Sequence, residues 1–278
     1  MEDSVSMSIR MRDLFMGNLG VLRHEPTGKR VRGMLDGKPA LDSARAVLVW
    51  EPRRIVPGYA VPADDVAADL VPVDAAPESD QPILHPGIPF AVHSTPGQAY
   101  SVRLGERVLD RAAFAPTDAD LAGYVFVDST AFDEWLEEDE AVRSHARDPF
   151  HRVDIRASSR HVRVERDGVL LAESTRPVLL FETNLPPRYY LPREDVRAEA
   201  LPSPNHTYCP YKGEASYLSF AVGRDLAWYY PDPLPDAAGI KGLVSFYNEV
   251  VDITVDGVTG GRPQDAISKT LRDEFDLR

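Results

Sequence analysis

Arg160-His-Val-Arg-Val-Glu-Arg-Asp167-Gly168, followed by Leu171-Ala-Glu-Ser174 and Val178-Leu-Leu-Phe-Glu182, is the stretch on which the reading of the chain turns. Short runs rich in Val and Leu, punctuated by Asp-Gly, read as β-strands joined by tight hairpins. The same texture stands 131 positions earlier: Lys29-Arg-Val-Arg-Gly-Met-Leu35, Asp36-Gly37, Ala40-Leu-Asp-Ser43 and Val47-Leu-Val-Trp-Glu51. One offset relates Asp36 to Asp167, Ser43 to Ser174, Arg45 to Arg176 and Glu51 to Glu182. An offset held across a strand, a turn and a second strand implies two tandem copies of one compact β-rich domain. The expected fold class is therefore mainly β with few short helices.

The repeat sets the boundaries. An N-terminal arm spans 1–22, the first β domain 23–142, a linker 143–155, the second β domain 156–262 and a C-terminal helix 263–278. The helix is expected because Ala266, Ile267, Thr270, Leu271 and Phe275 recur at helical spacing. The segment Ala131–Glu140 could be scored as a helix with Phe132, Trp135 and Leu136 on one face. Its counterpart Val250–Val255 is rich in β-branched residues and ends in Asp256-Gly257, so both are expected as strands.

The copies diverge downstream. A proline-rich loop from Val71 to Gly97 precedes the strand Ala99–Leu104 in the first. The equivalent place in the second is His206-Thr-Tyr-Cys-Pro-Tyr-Lys-Gly213, leading to Trp228-Tyr-Tyr-Pro231. Nothing in the first copy's sequence matches Cys209 or Lys212, so a worn first copy supporting a working second one is expected. Cys209 is the only cysteine in the chain. With Lys212 close by, it is a candidate nucleophile or redox thiol, although a lone thiol is more often a small buried hydrophobe. His206, Tyr211, Lys212 and Trp228 are the candidate ligand-binding residues, Trp228 as a stacking wall for a planar or anionic small molecule. Arg176, Glu182 and Tyr190 complete the candidate set. Glu182 closes an apolar strand, and its match with Glu51 favours a hydrogen-bonding role in the scaffold.

Composition narrows the function. Hydrophobic residues at 43% and charged residues at 27% are those of an ordinary soluble globular protein. A net charge of -13 argues against a nucleic-acid partner while leaving room for a small anion in a local basic pocket. No apolar run is long enough to span a membrane, no secretory signal opens the chain, and one cysteine allows no internal disulfide, so a cytoplasmic location is expected. His145, Asp148, His151 and Asp154 recur every third position, which on a helix would suggest metal ligands, but Pro149 breaks that helix. No metal and no cofactor are expected.

Asp167-Gly168 with Ala172-Glu-Ser174, Tyr190 with Pro192 and Asp195-Val196, Cys209-Pro-Tyr-Lys-Gly213 with Tyr217, Ala227-Trp228 with Tyr230 and Pro233, and Gly242 with Phe246-Tyr247 together resemble the bacterial domain-of-unknown-function family 427. The resemblance runs from about Lys29 to Arg262 and is strongest in the second copy. It implies a compact β domain similar to the tent-like group of B-type methionine sulfoxide reductases and the cereblon ligand domain. Those relatives usually keep paired zinc cysteines, which this chain lacks. The family's nucleotidyltransferase-like label finds no support here, because paired metal-binding carboxylates on one strand and a phosphate-binding Gly-Ser turn are both missing. Three functional readings follow: a small-ligand-binding or sensing module, an enzyme using Cys209, and a structural module serving homo-oligomer contacts.

Overall fold

The computed structural model describes residues 8–277. The first seven residues of the expected arm and the last residue of the expected C-terminal helix lie outside them. The chain divides into two compact units between Ala146 and Arg147. Both are mainly β, and every named strand pair is antiparallel.

The first unit has a sheet of seven strands in the order Arg23–Pro26, Val47–Trp50, Gly58–Pro62, Tyr124–Val127, Arg107–Pro116, Gly97–Leu104 and Asp69–Val73. A second sheet orders Glu140–Ala141, Glu134–Glu137, Val31–Leu35 and Lys38–Ser43. Within the segment expected as strand from Ala131, strand pairing is confined to Glu134–Glu137 and Glu140–Ala141, after a short 3-10 turn at Ser129–Ala131. Strand rather than helix wins because Trp135 packs inward on Tyr59 and Phe132 while Glu134 points to solvent.

In the second unit, Val153–Ala157, Val178–Glu182 and Arg188–Tyr190 form one sheet, and Val244–Phe246, Gly223–Tyr229, Gly213–Phe220 and Leu201–Cys209 another. A bridge between Leu191 and Val244 connects them. Read through that bridge, the strand order matches that of the seven-stranded sheet in the first unit. The remaining sheet orders Val258–Thr259, Asp252–Val255, Val162–Arg166 and Val169–Ser174, as its counterpart does. Val153–Ala157 falls partly in the stretch 143–155 expected as linker, and it pairs along its length with Val178–Glu182. The C-terminal helix is Ala266–Glu274, capped by Asp265 accepting from the backbone of Ile267 and Ser268.

The Asp-Gly pairs do what their chemistry requires. Asp36-Gly37, Asp167-Gly168 and Asp256-Gly257 all take positive φ at both residues, the conformation of a two-residue hairpin turn. Alternation then decides the faces: Val162 and Val164 are fully buried while Arg163 between them points outward. Among the described residues no helix is long and apolar enough to cross a membrane.

Candidate functional site

Strand Val178–Glu182 is apolar until its last residue, and the sheet carries that carboxylate into the interior of the second unit. Glu182 is 7% exposed and Lys212 equally so. Lys212 arrives from the tight turn after strand Leu201–Cys209, where its backbone N–H donates to the Cys209 carbonyl. Its ammonium donates to Glu182 Oε2. The other carboxylate oxygen, Oε1, accepts from His151 Nε2 at 3.0 Å. Burial by itself pushes the Glu182 carboxyl up, but the Lys212 charge and the hydrogen bonds from His151 and Lys212 outweigh it and hold the pKa at about 2. For Lys212 burial works downward, and the charge of Glu182 more than reverses it. The pair is therefore ionised across the physiological range.

An ionised Glu182 fixes the proton of His151 on Nε2. Its other nitrogen, Nδ1, has no partner among the described residues. The ring stacks on Tyr211 with centroids 4.2 Å apart and planes inclined by 22°. The Arg147 guanidinium lies 5.1 Å from the Tyr211 centroid, and the Tyr211 hydroxyl accepts from the backbone of Asp148 at 2.6 Å. Tyr211 is buried, which pushes its pKa upward. His151 and Tyr211 face a cleft of ≈ 460 Å³ shared with Arg147, Phe150, Arg152 and Asp236.

Tyr190 and Trp228 lie on the inner side of the pair. Tyr190 is 1% exposed, and the Trp228 indole N–H donates to its hydroxyl at 3.1 Å. Burial pushes the Tyr190 hydroxyl upward against the opposing charge of Lys212. Trp228 is itself enclosed, edge-on to Tyr190, 4.5 Å from the Tyr247 ring and 5.5 Å from Arg188. Its faces are occupied by the protein's own side chains, so it presents no stacking wall to a ligand. Arg188 forms a bidentate pair with Glu249, both buried.

The remaining expected residues sit apart from this cluster. His206 is half exposed on the outer face of its strand, 3.4 Å from Ser216 Oγ and 3.7 Å from Glu214. Arg176 is exposed and pairs with Glu194 at 2.6 Å. Cys209 is partly buried and close enough to Lys212 and Tyr211 for a thiolate there to raise both of their pKa values. Among the described residues no three His, Cys, Asp or Glu side chains gather to hold a metal. Of the four groups spaced by three in the expected linker, His151 serves Glu182 instead. His151, Arg188 and Glu249 are absent from the sequence-derived set. Only the recurring strand-end glutamate hinted that a buried carboxylate would need partners.

The first unit has its own version of the motif. Glu51, 3% exposed, accepts from His93 Nδ1 at 3.0 Å and from the backbone of Ser94 at 3.1 Å, and Arg54 lies 3.4 Å away. His93 comes from the proline-rich loop, whose sequence holds no match for Cys209 or Lys212.

The family model described as Domain of unknown function (DUF427) matches residues 154–257. That span includes Glu182, Tyr190, Lys212 and Trp228 and begins three positions after His151. It lies within the second unit, so the resemblance of the first unit rests on its residues alone. No curated protein matches the chain.

Proposed function

We propose that the chain is a tandem duplication whose second unit binds a small planar anion in the cleft floored by His151 and Tyr211. The duplication is supported by the common strand order of the two units, the constant offset of 131 and the buried Glu51 and Glu182 at matching strand ends. The observation that carries the binding reading is His151: one nitrogen held by a buried carboxylate, the other open beside two arginines. An oxyanion that carries a proton, such as hydrogen phosphate, can donate it to the open Nδ1 while Arg147 and Arg152 meet its charge, and Tyr211 and Phe150 offer apolar contact to a flat body. The arginine pairs Arg147–Asp236 and Arg152–Asp154 are exposed, and such pairs contribute only about 0–1 kcal/mol, so either guanidinium can turn to a ligand at small cost.

Calorimetric titration of the full chain with inorganic phosphate and phenyl phosphate tests this reading. Saturable binding, tighter for phenyl phosphate and weakened about tenfold or more in His151→Asn and Arg152→Ala, supports it. No heat at millimolar ligand, or equal binding by both variants, removes it.

Chemistry at Cys209 is the second reading, favoured by the thiol's partial exposure beside Lys212. If Lys212 activates the thiol, iodoacetamide labels the wild type at least tenfold faster than Lys212→Met, whose fold is checked in parallel by the 19F spectrum of 5-fluorotryptophan-labelled protein. Equal rates in two folded proteins dismiss it.

A further inference from the structure

The cluster in the first unit borders a cleft of its own, independent of the one assigned above. Arg54 is the group that connects them. Its Nε points to Glu51, and its Nη2 donates to the carbonyls of Pro89, Phe90 and Val92 at 3.0, 3.4 and 2.6 Å. Nη1 has no acceptor among the described residues, although the side chain is only 12% exposed. The guanidinium is thus locked on two of its nitrogens and open on the third.

An open cleft of ≈ 170 Å³ lies beside it, with Val56, Tyr59, Ile88, Phe90 and Phe126 forming an apolar wall and Asp128, Ser129, Thr130 and Ser144 a polar one. Glu51 also borders this space, but its oxygens are taken by His93, Ser94 and Arg54. A space of about 150 Å³ is large enough for a benzene-sized body, and the apolar wall gives such a body one face to lie against. A fixed N–H donor at the edge of such a space selects a molecule with an acceptor oxygen on a small apolar frame, because a purely apolar occupant leaves the donor without a partner.

We propose that the first unit binds a small apolar carbonyl compound, an aromatic or short branched carboxylate or amide, with its oxygen on Arg54 Nη1. The ring or branched end lies against Phe90, Phe126 and Tyr59. The proline-rich loop is then the wall of a site, and its lashing to Arg54 and Glu51 is what keeps that wall in place.

Benzoate and benzamide are the probes, with toluene as the apolar comparison, titrated into the full chain by calorimetry and by 19F NMR of 5-fluorotryptophan-labelled protein. Saturable binding of either oxygenated probe, at least tenfold tighter than toluene, is expected. Arg54→Met should weaken it tenfold or more. Because Arg54 also stitches the loop, a second variant keeps the test decisive. Gly58 borders the cleft, and a Cβ built there meets no atom within 4 Å. Gly58→Leu is therefore expected to fill the space and abolish probe binding while the three tryptophan resonances stay folded. No saturable binding of benzoate or benzamide, binding of toluene as tight as theirs, or unchanged affinity in a folded Gly58→Leu protein overturns the proposal.

Discussion

Lys212→Met tests the central claim about the second unit, that a buried carboxylate there depends on one cation. Glu182 is held at about 2 against an ordinary value of 4.5. At about 1.4 kcal/mol per pKa unit, that depression corresponds to about 3 kcal/mol of stability. Mutational experience with buried pairs gives a similar range, about 3–5 kcal/mol when one partner is deleted and the other stays charged. The folded pKa is the lower one, so this stabilisation is complete above about pH 4.5 and is lost as the pH falls toward 2. The variant is therefore expected to lose about 3 kcal/mol at pH 7, and its deficit relative to the wild type should shrink steadily between pH 4.5 and 2. Replacing both partners, Glu182→Met with Lys212→Met, should recover at least half of the loss, since an apolar pair carries no unpaired charge. Urea unfolding followed by 19F NMR resolves the second unit through Trp228, because Trp50 and Trp135 belong to the first. A loss below about 1 kcal/mol at pH 7, or a deficit that persists unchanged at pH 2, would refute the argument.

Two further contrasts follow from burial and geometry. Arg188→Met is expected to cost about 3–5 kcal/mol because it leaves Glu249, 2% exposed, buried without its ion-pair partner, whereas Arg176→Ala, an exposed pair, should cost no more than about 1 kcal/mol by the same unfolding measurement. Gly97→Ala drives a Cβ to 2.3 Å from the Ala115 carbonyl and should prevent a stable first unit, while Gly168→Ala meets no atom and costs only the strain of φ +79, about 1 kcal/mol of unfolding free energy measured in urea.

The hairpins were legible because their signal is local. Asp167-Gly168 needs only its own two residues to define a turn, and Val162, Val164 and Arg163 need only alternation to define faces. Glu182 was legible as a strand end, and its match with Glu51 pointed to a hydrogen-bonding role. Its partners were not, because they come from far along the chain: Lys212 from a turn 30 positions later and His151 from 31 positions earlier. Trp228 was read as a wall for a ligand from its aromatic neighbours in sequence. Its environment is set by Tyr190, Tyr247 and Arg188, none of them adjacent to it, and they enclose it. His206 and Cys209 share a strand, but their offset of three puts them on opposite faces. A list drawn by proximity in sequence could not separate them.

The two glutamates explain why residue-by-residue matching made the first copy look empty. A carboxylate buried at a strand end demands donors, but not any particular donor from any particular segment. In the second unit a lysine meets the demand from the hairpin turn and a histidine from the segment before Val153. In the first unit Arg54 stands three residues after the glutamate, and His93 sits in a loop with no counterpart by alignment. The exchange also reverses which group is left facing outward. His151 offers Nδ1 to its cleft while Lys212 is consumed inside. His93 has its Nε2 buried without a partner against Phe114, and Arg54 is the one with a nitrogen to spare. On the duplication and binding proposed above, one acid with interchanged partners gives two differently selective openings: an oxyanion meets an imidazole in one and a carbonyl oxygen meets a guanidinium in the other. The pairing of variants to probes follows directly, with His151→Asn expected to leave benzoate binding intact and Gly58→Leu expected to leave phenyl phosphate binding intact.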